Sequence, residues 1–526
     1  MSTNEQAEKK TFGEVVKDAF KELRETFVAF IKAPKALWGI NVPYIIEGLV
    51  YFGILTILGK YASENIGLAD TQASLIYSGV TGGITFAMLL FGGYSDKLGV
   101  SKSLKLAFLI MLVGRVLVAL SGSLNLPNGL WSPMFWLMNM GLLLMVAGYG
   151  LYQPAAYAGV KRYTNKQTAA MGYAVIYGFM NLGAFFSGFI SSFTRQAFED
   201  TFPPNGLAAV FWVYVILTAL SLLVTVVILT RKTDEEAVAR IQAENDKLDE
   251  EAGREKEEKK EVKPDAKINN TLLYIFGGLA ALSYVGWIVF DTATTSDVML
   301  AVAILFTALA IYDYLKRRPY HPFRDLRFTF FIFILIPVQT LFAHNWLTLP
   351  YYLDRAFKGT FVSEYFEVFT NLNPILIFFL TPIVAGLTAR ANVYKMMIYG
   401  TFVMAIPTFL LALGPNVALF LLYVLLMTIG EAMWQPRFLQ WIAEIAPEGK
   451  TGLYMGVGQF PWFLTKVVTG FYSGWFLTKY CPANTPPSQM NTEMLWLIYG
   501  LIAIISPIAL WLAKDWMLKG FKTKAD

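Results

Sequence analysis

Cysteine occurs once, as Cys481, and histidine twice, as His321 and His344, in 526 residues. A lone cysteine excludes an internal disulfide and a cysteine-based zinc site, and two histidines argue against a histidine metal cluster. Charge is scarce too: Asp, Glu, Lys and Arg make up 15% of the chain, where a soluble protein carries about 25%. No G-x-x-x-x-G-K-[ST] loop is present, so nothing points to a phosphate cradle for ATP. The first 35 residues contain no apolar run of the kind a signal peptide needs. What is plentiful is apolar surface. Hydrophobic residues form 56% of the chain, with 41 Phe, 27 Tyr and 13 Trp. Such a chain has too little polar surface to cover a globule in water. It reads as a polytopic membrane protein of all-α class, with no cofactor or metal expected. The excess of 43 Lys and Arg over 38 Asp and Glu is modest, and its placement in loops accounts for it without a nucleic-acid partner.

Apolar stretches of about 20 residues, each able to cross a ~30 Å hydrocarbon layer, recur down the chain. They fall near 37–60, 72–93, 103–121, 133–157, 170–193, 207–230, 271–290, 297–314, 326–350, 364–388, 393–413, 415–441, 453–478 and 492–514. Fourteen spans put both termini on one side. Lys97, Lys102 and Lys105 follow the second span, Lys161, Arg162 and Lys166 the fourth, and Lys316, Arg317 and Arg318 the eighth. The alternate loops at 61–71, 122–132 and 291–296 hold no Lys or Arg. The positive-inside rule therefore predicts cytoplasmic termini.

The organisation expected is a cytoplasmic amphipathic segment over 1–35, a six-helix bundle over 36–230 and a charged linker over 231–267. An inserted hairpin over 268–318, a second six-helix bundle over 319–515 and a tail over 516–526 follow. In the first segment Val15, Val16, Phe20, Leu23, Phe27 and Phe30 recur at helical spacing among charges, as in a helix lying on a membrane face. In the linker, Glu and Lys at short spacing are compatible with a solvated helix or with disorder.

Between the second and third spans lies Gly92-Gly93-Tyr94-Ser95-Asp96-Lys97-Leu98-Gly99. Gly92, Asp96 and Gly99 resemble the G-x-x-x-D-x-x-G signature of the major facilitator superfamily. Glycines there permit close helix approach, and the Asp meets a helix N-terminus or a nearby base, giving a latch that can open. The resemblance implies a major facilitator fold and alternating access about a midplane site.

Further segments narrow this. They are Glu47-Gly48-Leu49-Val50-Tyr51-Phe52-Gly53, Gly148-Tyr149-Gly150-Leu151-Tyr152-Gln153-Pro154, and Tyr177 through Ala184 around Asn181. Later in the chain come Asn371-Leu372-Asn373-Pro374, Gly430-Glu431 with Gln435-Pro436, and Trp462-Phe463-Leu464. In order and spacing they resemble the motifs of the proton-dependent oligopeptide transporters, as a divergent member. By that resemblance Tyr51, Gln153, Asn181, Asn373, Glu431, Trp434 and Trp462 line a substrate site, and protons are the second partner beside a small-molecule substrate and the bilayer. The chain is expected to act as a monomer and not as an enzyme.

The departures matter equally. Where the family has a Glu, an Arg and a Lys, this sequence has Tyr44, Gly48 and Gln153. Glu47 remains as an acid without an adjacent base, so Glu47 and Glu431 are the two candidates for proton coupling. Lys466, one turn beyond Trp462, is the candidate replacement for the lost cations. Each intramembrane charge costs ~2.5–3.5 kcal/mol on insertion scales and is a functional candidate for that reason. Arg115 reads as a brace between helices, and His344 as a packing histidine. The function expected is proton-coupled uptake of small peptides or peptide-like amine-bearing solutes across an inner membrane. Transport of another small solute, possible without coupling, is the alternative in the same class. A transceptor signalling through 231–267 is the alternative outside it.

Overall fold

The computed structural model describes residues 33–124, 126–165, 169–251, 269–289, 293–318, 321–388, 391–445 and 460–519, with a few isolated positions besides. The N-terminal segment expected to be amphipathic lies almost wholly outside the described residues. No strand occurs among those described. Among the described residues up to 316 the α-helices are α1 Lys35–Lys60, continued by a π-helical turn over Tyr61–Asn65, α2 Asp70–Leu98, α3 Val100–Ser121, α4 Pro133–Arg162, α5 Ala169–Ala197, α6 Leu207–Ile228, α7 Arg231–Glu251, α8 Thr271–Val289 and α9 Ala293–Lys316.

The later part is more segmented. Its helices are α10 Leu326–Ile334, α11 Ile336–Leu347, α12 Leu349–Ala356, α13 Phe366–Thr370, α14 Leu372–Leu387, α15 Val393–Ala405, α16 Thr408–Leu411, α17 Val417–Ile445, α18 Phe460–Tyr480, α19 Thr492–Ala503 and α20 Ile505–Leu512. Most of the breaks have a local cause. Pro337 and Pro350 open α11 and α12, Pro407 precedes α16, and Pro507 lies in the first turn of α20. A proline removes an N–H and its ring clashes with the carbonyl four residues back. Not every proline breaks a helix: Pro43 and Pro436 lie inside unbroken α1 and α17, where neighbouring helices can compensate for the missing bond. Pro374 sits in the first turn of α14.

Starts are capped where polar residues are available. Ser132 accepts from the Phe135 N–H at 3.2 Å with Pro133 next in line, and Asp325 accepts from Arg327 and Phe328 at 3.0 and 3.1 Å. These side chains satisfy N–H groups that have no partner within their own helix.

Eleven helices are long and apolar enough to cross a membrane among the described residues, so the chain is a multi-pass membrane protein. The sequence expectation of fourteen spans exceeds that number. Of the other three stretches, Thr271–Tyr284 counts only as a shorter apolar helix. α2 carries Thr71, Gln72, Ser74, Ser78, Thr81 and Thr85, and α18 carries Thr465, Lys466, Thr469 and Ser473.

Buried residues form two large hydrophobic cores. One draws on α1 through α6, with Ala237 of α7 and Leu347; the other draws on Phe328 through Met517. Between them α2 lies along α18 and α5 along α13 and α14. At Gly470 and Gly474 an added Cβ would collide with Ser78 and with the Thr71 backbone, so these glycines permit the close approach of α2 to α18.

The linker is helical over α7, and residues 252–268 lie outside the described residues. α7 is docked. Asp234 accepts from Arg162 Nε and Nη2 at 2.9 and 3.0 Å and from the Tyr163 hydroxyl at 2.5 Å. Asn165 donates to Glu244 at 2.9 Å, while Ala237 and Ile241 are buried. α8 and α9 pack mainly on each other and leave Leu272, Tyr274, Leu282, Ile304 and Tyr312 exposed, as a lipid-facing hairpin would.

Candidate functional site

The first site group is a buried charged node on four helices. Glu47 of α1 is 1% exposed and Arg115 of α3 is fully enclosed. Arg115 Nη1 donates to Glu47 Oε2 at 2.9 Å, and its Nη2 pairs with Oε1. Nη2 also reaches the Tyr149 hydroxyl of α4 at 2.8 Å. That hydroxyl in turn donates to Glu47, and Nη1 donates to Thr218 of α6. Here the structure corrects the sequence reading, which gave Glu47 no base. The cation comes from α3 rather than from α1 or from the Gln153 position. A planar guanidinium can serve both carboxylate oxygens at once. Arg115 does brace helices, and it does so through Glu47.

Beside this node is an aromatic crevice. Tyr51 meets Tyr149 edge-on at 5.2 Å, and Tyr44 stacks on Tyr152 at 5.7 Å. Tyr44, Glu47, Gly48, Tyr51, Gln153 and Met180 line a cavity of about 10 Å³, room for roughly one water. The structure thus brings Glu47, Tyr51 and Gln153 together, with the Tyr44 ring at one of the three positions where the family resemblance would put charge.

The second group lies across the molecule. Glu431 of α17 is 5% exposed and accepts from Asn373 Nδ2 of α14 at 2.8 Å; the same amide donates to Thr428 at 2.9 Å. No base pairs with Glu431 among the described residues. Trp434 is fully buried in the second core, its indole N–H 3.1 Å from Met404 Sδ and its ring 6.1 Å from Phe342. It is packing rather than lining. Trp462, half-buried, meets the other side of Phe342 at 5.3 Å.

Lys466 of α18 points to α2, with Nζ 3.4 Å from Thr85 Oγ1 and 3.5 Å from the Thr81 carbonyl. No acid pairs with it among the described residues. Asn181 donates to the Tyr177 carbonyl of its own helix at 3.0 Å, and no bond joins it to either group. Of the expected latch, Gly99 has φ +81° between α2 and α3, a left-handed position suited to glycine. The side chains of Gly92 and Asp96 lie outside the described residues. His344 is a packing residue: Thr348 Oγ1 and the Tyr472 hydroxyl lie 2.8 and 3.0 Å from its two ring nitrogens, and Tyr499 stacks at 3.7 Å.

Sequence reasoning missed a third group, an ionic seam between the two cores. Lys60 pairs with Asp354 and, at 3.2 Å, with Glu64. Arg355 is bidentate to Asp70 at 2.7 and 3.1 Å. Arg195 meets the fully buried Glu367 at 2.5 Å and donates to the Glu364 carbonyl at 2.7 Å. Asn371 donates to Thr56 at 2.9 Å. All of these lie at the end where α1 finishes and α2 begins. The available signal was charge at the ends of apolar stretches, which reads equally well as loop.

A helical membrane protein with two cores facing one another across a polar seam is the architecture of a transporter. The chain belongs to the major facilitator superfamily, whose pattern matches residues 43–357. It is 21% identical over 510 residues to dipeptide and tripeptide permease A of Escherichia coli (strain K12), covering 91% of each chain. Its fold is that of solved proton-dependent oligopeptide transporters. One such structure aligns with a TM-score of 0.63 at 18% identity over 92% of this chain and 99% of the other. A second, a peptide transporter with bound sulfate, aligns with a TM-score of 0.62 at 17% identity over 92% and 95%. These relatives are transporters rather than enzymes.

Proposed function

We propose that this chain is a secondary transporter that imports small peptides or peptide-like amine-bearing solutes, driven by protons, by alternating access. The units would be two six-helix bundles, over 36–230 and 319–515, with the hairpin 268–318 inserted to give fourteen spans in an inner membrane. Cytoplasmic termini follow from the lysine- and arginine-rich alternate loops.

One observation carries this reading. Glu47, Arg115, Arg195 and Glu367 are neutralised in pairs, whereas among the described residues Glu431 has only an amide and Lys466 only hydroxyl and carbonyl oxygens. An unneutralised charge in the bilayer costs ~2.5–3.5 kcal/mol. A zwitterion with its ammonium at Glu431 and its carboxylate at Lys466 would neutralise both. Trp462, Tyr51 and Gln153 would contribute apolar and amide contacts. Proton coupling then falls first to Glu431, since Glu47 is held by Arg115 and Tyr149. The closed ionic seam makes this the conformation shut at the outer end.

The test is dipeptide uptake into proteoliposomes with and without an inward proton gradient, in wild type and Glu431→Gln. Wild-type uptake should follow the gradient, and the variant should lose accumulation. Equal uptake by the two proteins would remove Glu431 from the site, and indifference to the gradient would favour an uncoupled transporter of another small solute.

A further inference from the structure

We infer that the outer end of the molecule carries a second solute site, a charged vestibule that takes up a small zwitterion before the midplane site is open. This inference rests on the transport reading above. The cavity there is about 780 Å³, within the ~300–1,000 Å³ range of small-molecule sites and far larger than the 10 Å³ crevice beside Glu47. Its floor is the ionic seam, including Lys60, Arg195, Asp354 and Arg355. Its lining carries two further charges of opposite sign. Glu199 follows α5 and Lys358 follows α12, and both line the cavity and are exposed. Neither makes an ion pair within 4 Å among the described residues, and Glu199 acts on the nearby Arg195 charge through space only.

The chemistry defines the ligand. A molecule with an ammonium at one end and a carboxylate at the other finds Glu199 and Lys358 unpaired and can compete with the seam pairs beneath them. A neutral solute gains nothing from either. Exposed charges interact weakly and are screened by salt, so the vestibule holds its ligand weakly and loosens with ionic strength. Occupying it places the ligand against Lys60–Asp354 and Arg355–Asp70, the contacts that must part for the outer end to open.

The test uses Ser63→Cys in the full-length protein. Ser63 lines the vestibule, and the native Cys481 is fully buried, leaving the introduced thiol as the reactive one. The rate of modification by a charged methanethiosulfonate is measured with dialanine, or with dialanine blocked at both ends, at low and high salt. Dialanine should slow labelling several-fold, the blocked analogue should not, and salt should weaken the effect. The protection should persist in a Glu431→Gln background and be lost in Glu199→Ala and Lys358→Ala. Those two variants should raise the KM for uptake while leaving kcat near wild type.

Equal protection by the blocked analogue, or an unchanged KM in both variants, would overturn the proposal. Protection that vanishes in Glu431→Gln would also overturn it, since the effect would then originate at the midplane. If Glu431→Gln instead transports normally while vestibule protection stands, the midplane assignment fails and the vestibule survives.

Discussion

At the scale of single residues, the Glu47–Arg115 pair decides most. Both groups are fully enclosed, so each charge depends on the other for solvation. Breaking a buried pair by removing one partner costs about 3–5 kcal/mol, because the remaining charge is left unpaired. Arg115→Met alone should therefore lower the thermal midpoint of the detergent-solubilised protein severely. Adding Glu47→Gln should recover most of that loss, since a neutral amide can still bond to Tyr149. A double variant no more stable than the single would mean that the pair is not the source of the stability. Both residues stand out in the sequence as intramembrane charges, but nothing in their spacing links them. They are 68 positions apart, on two helices that this ion pair itself joins. Glu431 with Asn373 was more legible, because each sits in its own recognisable motif. Trp434 misled for a different reason: it stands between Glu431 and Pro436 in a motif-like segment, and its ring lies in the second core.

At the scale of elements, apolar runs of bilayer length located the helices well, since run length alone fixes whether a segment can span. They did not foretell where the later spans would divide, because the outcome for a proline depends on whether neighbours can satisfy the freed carbonyl. For the linker, composition left helix and disorder equally open. What decides is docking, through Asp234 on Arg162 and Tyr163. Partial burial acts to raise the Asp234 carboxyl, but the hydrogen bonds from Arg162 and Tyr163, with the Arg162 charge, outweigh it and hold the group below its ordinary value of 3.8. A depressed carboxyl contributes stability that is complete above the free value and is lost as pH falls through the docked one. α7 should thus remain docked at every pH above about 3.8 and come loose only in stronger acid. A spin label at Glu236, which is well exposed, should report low mobility at neutral and mildly acidic pH and a gradual rise as pH falls below the ordinary carboxylate range. In Asp234→Asn the label should be mobile at neutral pH. Release already at pH 6 would mean that some other group holds the helix.

At the scale of the whole molecule, the alternating access proposed above would require two cores that separate at one end and then the other, so the contacts between them would have to be strong enough to close and weak enough to open. The seam would meet both demands with ion pairs on the floor of the vestibule, where exposed partners are worth little and enclosed ones more. Arg355 and Asp70 are the enclosed case, at 8% and 10% exposure, and they join positions 285 residues apart, which is why no reading of the sequence could pair them. Asp70→Asn or Arg355→Gln alone should leave the outer end open more of the time and speed labelling of Ser63→Cys. The inverted pair, Asp70→Arg with Arg355→Asp, should slow it again toward the wild-type rate. Restoration should stop short of complete for two reasons visible in the structure. Arg355 also donates to the Cys481 carbonyl at 2.8 Å, a bond an aspartate cannot make. Asp70 is also the first residue of α2, where a helix favours a negative charge over a positive one. An inverted pair labelled as fast as either single variant would show that closure depends on the close fit of Gly470 and Gly474 against α2, with the charges only following it.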